Sequence, residues 1–349
     1  MLSHGSAGAQ SVLRWPPRTT TTRPATTGAT TTRATTTQPA TTRPTTQPTT
    51  TQPATTPPTT QPATTQPATS QPPPTTQPAT TQPATTPPTT QPATTPPTTA
   101  PPTTQSSGGC GGCWIPPLQT SWQIQFSATL DTTVDATLFD LDGFDTSAAT
   151  VSSLHAAGKR VACYVSAGTY ENWRPDAAAY SPSILGNNLA DWPGERWVDI
   201  RDVTRPSSTL AAILRARIAM CAAKGFDAVD FDNVDGYTNN PGFAFTASDQ
   251  LVFNRWLATE AHAQRLSAAL KNDLAQIPQL VGTFDWAVNE QCWQYNECDL
   301  LLPFVNAGKA VMQIEYSAST TSFCPSANAR NFNAIKKKLS LNAFRVPCR

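Results

Sequence analysis

Residues 19–104 form a degenerate repeat of Thr-Thr-Gln-Pro-Ala and Thr-Thr-Pro-Pro units, with almost no apolar side chain larger than that of Ala. Such a segment cannot bury enough apolar surface to offset the entropy lost on ordering, so it cannot join a packed core. Frequent proline favours an extended spacer, and Thr beside Pro is also typical of O-glycosylated stalks; the sequence leaves open whether this tract is modified. We predict a disordered Thr/Pro/Gln-rich linker over 19–109, a globular domain over 110–349, and no assigned role for 1–18.

Charge and hydropathy exclude several classes of protein. The 349 residues carry a formal net charge of +1 and only 13% of them are charged, which does not suggest binding to nucleic acid or to an acidic membrane surface. No apolar run approaches the roughly 18 to 20 residues that a bilayer span requires. We therefore expect a monomer without a membrane span.

The cysteines indicate the compartment. Eight cysteines favour an oxidising environment, although Met1 to Trp15 lack the apolar core of a secretory signal. We expect an extracellular or cell-wall protein whose natural start lies elsewhere or whose export signal is of another kind. Cys110 and Cys113 have the spacing of a redox motif or half a zinc site, but neither a βαβ context nor a second ligand pair accompanies them. A structural disulfide is the favoured use.

Strand and helix patterns alternate after Trp114. The strands are short, apolar and mostly without alternation, as in parallel strands that are buried on both faces. Over about 235 residues, this pattern predicts an α/β fold, a single (β/α)8 TIM barrel. The rival is a doubly wound open sheet, but Ser166-Ala167-Gly168 is too sparse for the phosphate loop such a sheet would carry. The predicted strands are 122–126, 136–141, 160–165, 197–200, 228–231, 280–284 and 310–314, and the predicted helices are 147–157, 210–224, 248–271 and 331–339.

Acidic and aromatic residues gather where the predicted strands end, which is the edge of a barrel that holds the active site. Two carboxyl groups that face each other there, one protonated and one ionised, would suit cleavage of a glycosidic bond, and aromatic rings would suit sugar binding. The three histidines do not follow strands, so a hydrolase triad is not expected. Clustered acids could instead hold a metal ion, but their spacing is not that of an EF-hand. We expect no metal and no cofactor.

Four blocks in this order resemble the endo-α-1,4-polygalactosaminidase family, glycoside hydrolase family 114. They are Cys163–Asp176, Asp232–Tyr237, Val288–Cys292 with Cys298, and Glu315-Tyr316. The resemblance implies a secreted TIM-barrel enzyme that hydrolyses internal α-1,4 bonds in galactosamine-containing polysaccharide with retention. It places the catalytic carboxylates at Asp232 and Glu290. We assign Glu290 as nucleophile and Asp232 as general acid/base, with the exchanged assignment left open.

The resemblance also suggests residues that support the site. The cysteine of the helix before the Asp232 strand is Cys221, whose partner could be Cys163, while Cys292 and Cys298 would brace the loop after Glu290. Glu171 could bind substrate or simply pair with Arg174, and the aromatic residues could belong to the core. The expected substrate-binding residues are Asp142, Tyr164, Ser166, Glu171, Trp173, Asn233, Asp235, Tyr237, Asn289, Glu315 and Tyr316.

Two other functions fit parts of the sequence. One is a sugar-binding module without catalytic activity on a mucin-like stalk, and the other is a structural wall protein. Both are less favoured because Asp232 and Glu290 are both present.

Overall fold

A computed structural model describes residues 110–349. The predicted linker, 19–109, and the segment 1–18 lie outside the described residues. The strands are β1 Trp122–Gln125, β2 Leu138–Asp142, β3 Arg160–Ser166, β4 Thr169–Glu171, β5 Leu185–Asn188, β6 Glu195–Val198, β7 Ala228–Asp232, β8 Ser267–Lys271, β9 Trp286–Glu290, β10 Val311–Glu315, β11 Asn333–Lys336 and β12 Val346–Pro347. The α-helices are α1 Ala148–Ala156, α2 Thr209–Ala223, α3 Ala247–Ala263, α4 Ile277–Leu280, α5 Leu302–Asn306 and α6 Thr320–Ala329.

Eight parallel strands form the central sheet, in the order β1-β2-β3-β7-β8-β9-β10-β11, and the short β12 adds antiparallel to β11. Hydrogen bonds connect the first and last parallel strands, β1 and β11. The Trp122 indole donates to the Asn333 carbonyl at 2.7 Å, and the backbone amide of Thr120, just before β1, donates to Asn333 Oδ1 at 3.0 Å. The predicted (β/α)8 TIM-barrel architecture is therefore confirmed.

Successive residues of each strand point to opposite sides of the sheet, which produces two apolar layers. The outer layer packs on the helices and includes Val229 and Phe231 of β7. The inner layer fills the barrel with one or more side chains from every parallel strand: Trp122, Leu138, Ala162, Ala228, Ala269, Trp286, Met312 and Ile335. Since even-numbered β7 residues face inward, Asp230 and Asp232 point into the barrel.

Capping residues mark the starts of α1, α2 and α3, and glycines mark the ends of α1 and α2. Ser147 and Ser208 accept hydrogen bonds from the first turns of α1 and α2, and Thr246 forms a capping box with Asp249 at the start of α3. Gly158 and Gly225, with φ of 72° and 85°, follow α1 and α2 as predicted.

Several predicted elements were wrong. The helix predicted over 248–271 ends at Ala263, and its last five residues are strand β8. The strand predicted over 280–284 falls on the end of α4 and a turn, while the real strand is β9. The helix predicted over 331–339 falls on β11. The two segments predicted as helix, 248–271 and 331–339, lack the glycine that separates elements elsewhere, and their Ala, Leu and Lys residues favour helix in isolation. The segment 280–284 does contain a glycine, Gly282, and its apolar residues Leu280 and Phe284 enter the core from a helix end and a turn.

The strand predicted over 197–200 is also displaced. Its residues 197 and 198 belong to β6, which pairs with β4 and β5 in a separate antiparallel sheet inserted between β3 and α2. Asp202 consequently does not end a barrel strand. It accepts hydrogen bonds from Ser208 and the Leu210 amide at the start of α2.

All cysteines of the described domain are paired, as Cys110–Cys113, Cys163–Cys221, Cys292–Cys298 and Cys324–Cys348. The pairing left open for Cys221 is thus with Cys163, which ties α2 to β3. Within residues 110–349, no helix combines the length and hydropathy needed to cross a bilayer.

Candidate active site

Three neighbouring strands end in charged side chains that meet at the barrel mouth, the edge formed by the carboxyl ends of the parallel strands. Asp232 ends β7, Lys271 ends β8 and Glu290 ends β9. Lys271 Nζ lies 3.1 Å from Asp232 Oδ1 and 3.3 Å from Glu290 Oε2. The Lys271 ammonium group therefore contacts both carboxylates that the sequence analysis predicted to be catalytic.

A tyrosine contacts each of these carboxylates from a flanking strand. The Tyr164 hydroxyl, on β3, donates to Asp232 Oδ2 at 2.8 Å. The Tyr316 hydroxyl, directly after β10, donates to Glu290 Oε1. Both rings pack with the apolar layer inside the barrel, so the hydroxyl groups have fixed positions. Each carboxylate is thereby oriented by one tyrosine and by Lys271.

The charges in this cluster are unequally exposed. The Lys271 side chain retains 5% of its accessible surface, whereas Asp232 retains 22% and Glu290 15%. Burial alone would lower the pKa of Lys271, but the charges of Asp232, Glu290 and Asp230 raise it well above its usual value. Lys271 is thus a buried cation beneath two carboxylates that a solute can reach.

Asp232 is held in its ionised form. Burial favours the neutral acid, but the Lys271 charge, the hydrogen bonds from Tyr164 and Lys271, and the backbone amide of Asn233 outweigh burial and lower the pKa of Asp232. A carboxyl with this environment is suited to act as a nucleophile or a charge stabiliser near neutral pH.

Each charged strand end is followed by a residue with left-handed backbone: Asn233, Asn272 and Gln291 have φ of 60°, 51° and 66°. Asn adopts this conformation more readily than most residues with a β-carbon. The turn after β8 also supports the neighbouring strand, because Asn272 Oδ1 accepts from the Glu290 amide at 3.0 Å and from Asn289 Nδ2 at 3.2 Å. Asn272 therefore fixes the backbone that carries Glu290.

The turn after Asp232 rests on the loop that follows β3. The Asn233 amide side chain donates to Ser166 Oγ and to Thr169 Oγ1, both at 3.1 Å, and Thr169 in turn donates to Glu195 Oε2 at 3.0 Å. Burial, followed by the charges of Glu171 and Asp232, raises the pKa of Glu195 to about 8. This polar network holds Ser166 and Asn233 beside the catalytic candidates.

Two predicted substrate ligands lie in a buried ion cluster. Arg174 donates to both oxygens of Asp142, at 3.0 and 2.8 Å, and its guanidinium contacts Glu171 at 2.7 Å. The Asp142 and Glu171 side chains are each only 3% exposed. The Glu171–Arg174 pair, one of the two alternatives expected from the sequence, is present.

Asp235 and Tyr237 lie after β7, in the loop that begins at Asn233. Burial, followed by the Asp232 charge, raises the pKa of Asp235 to about 6. Tyr237 lies close to Asp273, and burial, followed by the Asp235 charge, raises the pKa of Asp273 to about 8. The charges of Asp232, Lys271 and Glu290 therefore all affect the pKa of Asp235.

The loop after Glu290 presents aromatic rings to solvent. It is closed by the Cys292–Cys298 disulfide, and the Trp293 amide donates to Glu315 Oε1 at 2.9 Å. Trp293 and Tyr295 are 37% and 40% exposed. The predicted ligand Glu315 is fully buried beneath this loop, and its environment raises its pKa, first through burial.

The remaining predicted residues differ in their surroundings. Asn289 is buried and its Oδ1 accepts from the Cys292 amide at 3.1 Å, so it helps to set the course of the aromatic loop. Trp173 is 40% exposed in the loop after β4.

In residues 110–349, no group of three or more His, Cys, Asp or Glu side chains is placed to hold a metal ion.

Sequence reasoning missed Lys271, Glu195 and Asn272. Lys271 was assigned to the end of a helix, and only the short run Ser-Ala-Ala-Leu before it could have indicated a strand that ends in a charge. Glu195 comes from the inserted sheet and is distant in sequence from every recognised block. Asn272 could have been noticed as a turn-forming residue directly after a charged one.

Known proteins resemble this chain in sequence and in fold. The matching family model is that of glycoside hydrolase family GH114, over residues 103–349. A crystal structure of Aspergillus fumigatus Ega3 in complex with galactosamine is 41% identical, with a TM-score of 0.64, and the alignment covers 67% of this chain and 97% of that one. A variant of the glycoside hydrolase domain of PelA from Pseudomonas aeruginosa is 14% identical, with a TM-score of 0.52 and coverage of 65% and 97%, which shows a shared fold. The search of curated proteins gives no match.

Proposed function

The chain belongs to glycoside hydrolase family GH114, and on that premise we propose that it cleaves internal α-1,4 linkages of galactosamine-containing polysaccharide with retention of configuration. The observation that carries the proposal is the placement of Asp232 and Glu290 on either side of Lys271 at an open barrel mouth. The galactosamine bound by the similar Ega3 structure supports the class of sugar.

The geometry supports a retaining reaction. The two contacts of Lys271 limit the separation of Asp232 Oδ1 and Glu290 Oε2 to at most about 6.4 Å, whereas retaining glycosidases have carboxyl groups about 5 to 5.5 Å apart and inverting ones about 6.5 to 9.5 Å. At this separation of the two carboxyl groups there is little room between a base and the sugar for the water molecule that an inverting reaction requires.

The electrostatics favour Asp232 as nucleophile and Glu290 as general acid/base. Asp232 receives hydrogen bonds from Tyr164 and Lys271, and its lowered pKa keeps it ionised. Glu290 meets Lys271 at the longer distance of 3.3 Å. This exchanges the two roles assigned from the sequence, where the alternative order was left open.

In the first step, an Asp232 oxygen attacks the anomeric carbon, the bond to the leaving oxygen breaks, and that oxygen takes the proton of Glu290. In the second step, Glu290 takes a proton from water, the water oxygen attacks the same carbon, and the bond to Asp232 breaks. Two inversions give net retention. Before the attack, Lys271 faces the Asp232 carboxylate and the protonated Glu290, and between the steps it faces the Asp232 ester and the Glu290 carboxylate. The ammonium group therefore has one negative charge beside it in both states.

The acidic mouth suits a cationic polymer. Asp235 forms no salt bridge among residues 110–349, whereas Asp142 and Glu171 are both neutralised by Arg174. An amino group bound beside Asp235 would favour its ionised form and so gain a charge pair. We therefore assign recognition of a galactosamine amine to Asp235, with Tyr237 beside it. The four disulfides support an extracellular or cell-wall location for this reaction.

The test is release of reducing ends from de-N-acetylated galactosaminogalactan. We expect Asp232→Asn and Glu290→Gln each to lower the rate by at least about 10³-fold. The matched control is Asp135→Asn, since the Asp135 side chain is exposed and lies before β2, at the opposite end of the barrel. Undiminished activity in either site variant would contradict the assignment. Binding without hydrolysis by the unmodified protein would favour the sugar-binding alternative.

A further inference from the structure

One side chain of helix α3 contacts both of the loops that follow Asp232 and Lys271. The helix connects β7 to β8 along the chain, and Asn254, in its middle, is completely buried. Asn254 Nδ2 donates to the Val234 carbonyl at 3.0 Å and to Asp273 Oδ2 at 2.9 Å. Val234 comes two residues after Asp232, and Asp273 comes two residues after Lys271. A single amide group therefore connects the turns behind both members of the Asp232–Lys271 pair.

The orientation of this amide is fixed from within the helix. Gln250 Nε2, one turn earlier, donates to Asn254 Oδ1 at 2.9 Å. The two N–H groups of Asn254 then face the two loops, whereas a flipped amide would place its oxygen against two acceptors. The Asn254 side chain therefore has one favourable orientation, in which it binds both loops.

The buried face of α3 is otherwise apolar. Besides Gln250 and Asn254, its buried residues are Phe253, Leu257, Ala258 and Ala261. Burial removes the two amides from water, and their hydrogen bonds within the protein largely offset that cost. Leucine would fill a similar volume with no polar group to satisfy. The packing of α3 does not by itself require an amide at position 254.

The turns that Asn254 contacts have a backbone conformation that needs support. Asn233, Asn272 and Asp273 have φ of 60°, 51° and 45°. Left-handed backbone is unfavourable for residues with a β-carbon, so two such residues in succession depend on the contacts around them. Asn272 also accepts from the Glu290 amide at 3.0 Å. The contact of Asn254 with Asp273 therefore supports the turn that holds the backbone of the third charged strand end.

We propose that Asn254 is a positioning residue of the active site, which sets the distance between Asp232 and Lys271 by holding the turns behind them. The inference rests on the proposed function and deepens it. Asn254 is completely buried on the helix side of the sheet, so it acts through Val234 and Asp273 and not on the substrate.

The kinetic test is Asn254→Leu, which removes both donors at a similar volume. We expect kcat on the galactosamine polymer to fall about 10- to 100-fold, while KM changes by less than about threefold, because reacting groups that move by about 1 Å lose rate more than binding.

The matched control is Asn333→Leu. Asn333 is also buried and bridges two segments, since it donates to the Leu118 carbonyl and accepts from the Thr120 amide, both at 3.0 Å. It begins β11, at the end of the barrel opposite the mouth. Asn333→Leu should lower the urea midpoint and leave kcat unchanged. An equal loss of kcat in the two folded variants, or no loss in Asn254→Leu, would overturn the proposal.

Two variants of Asp273 test the same contact from the loop, and they decide the case in which Asn254→Leu does not fold. Asp273→Asn keeps an oxygen that accepts from Asn254 and a residue that tolerates left-handed backbone, so it should retain most of kcat. Asp273→Gly removes the acceptor without straining that backbone, and kcat should fall about 10-fold or more. Equal kcat values in these two variants would overturn the proposal.

Crystal structures test the positioning without any substrate. In Asn254→Leu we expect Lys271 Nζ to lie beyond about 3.5 Å from Asp232 Oδ1, outside hydrogen-bond range. Asn333→Leu should keep the 3.1 Å contact. The 3.1 Å contact in both variants would overturn the proposal. If the unmodified protein hydrolyses no galactosamine polymer, the proposed function fails, while these structures still decide whether Asn254 sets this distance.

Discussion

Lys271 donates to Asp232 across 3.1 Å from a position that is almost fully buried, and the same nitrogen lies 3.3 Å from Glu290. Two carboxylates this close would otherwise repel each other, and one of them would take up a proton. The buried ammonium group lowers the pKa of Asp232, so this carboxylate remains ionised, as the proposed mechanism requires of its nucleophile.

Replacement of this cation should impair catalysis in a pH-dependent way. In Lys271→Met, Asp232 loses its main charge partner, so its pKa rises and the acidic limb of the pH–activity profile moves to higher pH. We expect kcat to fall by about 10²- to 10³-fold near neutral pH. Lys159→Met is the control, because Lys159 lies before β3, at the opposite end of the barrel. An unchanged acidic limb would contradict this role for Lys271.

The close approach of Gly168 to Asn233 should make the glycine indispensable. A β-carbon at position 168 would lie 1.7 Å from the Asn233 carbonyl oxygen, whereas one at Gly282 would meet nothing within 4 Å. Gly168→Ala must displace the turn after Asp232, and we expect it to cost about 1 to 3 kcal/mol of unfolding free energy and most of the activity. Gly282→Ala should do neither. Urea unfolding and reducing-end assays on both variants check this, and equal behaviour would contradict it.

Glu195 should make stability fall as pH rises. Its pKa of about 8 in the folded protein exceeds the unfolded value of 4.5, so the folded state binds the proton more tightly. The stabilisation is complete below about pH 4.5 and is lost as pH rises through about 8. In Glu195→Gln, the loss between pH 5 and pH 8 should shrink by about 2 to 4 kcal/mol, measured from urea midpoints. A pH dependence equal to that of the unmodified protein would show that Glu195 is not the responsible group.

The exposed rings of the disulfide-closed loop should bind sugar units beyond the cleavage point. Trp293 and Tyr295 are three and five residues from Glu290 in sequence, and their exposure carries no benefit for folding. Trp293→Ala and Tyr295→Ala should raise KM for the polymer several-fold with less change for a short activated substrate. Leu300→Ala, at an exposed apolar residue outside the loop, is the control. Equal effects on long and short substrates would contradict a platform role.

The sequence predicted the barrel and the family because these depend on local patterns. Buried strands appear in the sequence as apolar runs. Gly158 and Gly225 mark helix ends through their own backbone conformation, which does not depend on distant residues. Asp232 and Glu290 each stand in a recognisable block. Lys271 could not be found in this way, because the end of α3 has no glycine and the strand that carries it resembles helix in composition.

Residues whose roles depend on contacts across the sequence were the hardest to predict. Asp142 and Glu171 stand at positions that suggest substrate binding, yet Arg174 binds both, and only the fold brings the three together. Glu195 reaches the site through the inserted antiparallel sheet, whose pairing no periodicity predicted.

The roles of Asp232 and Glu290 are tested most directly by azide rescue of Asp232→Gly and Glu290→Ala with an activated aryl α-galactosaminide oligomer. Azide that enters the space of a missing nucleophile attacks opposite the leaving group, whereas azide that replaces water in the second step attacks the covalent intermediate. We predict an inverted β-glycosyl azide from Asp232→Gly and a retained α-glycosyl azide from Glu290→Ala. The opposite pair of products would exchange the two roles, and full activity without azide in either variant would contradict the catalytic pair itself.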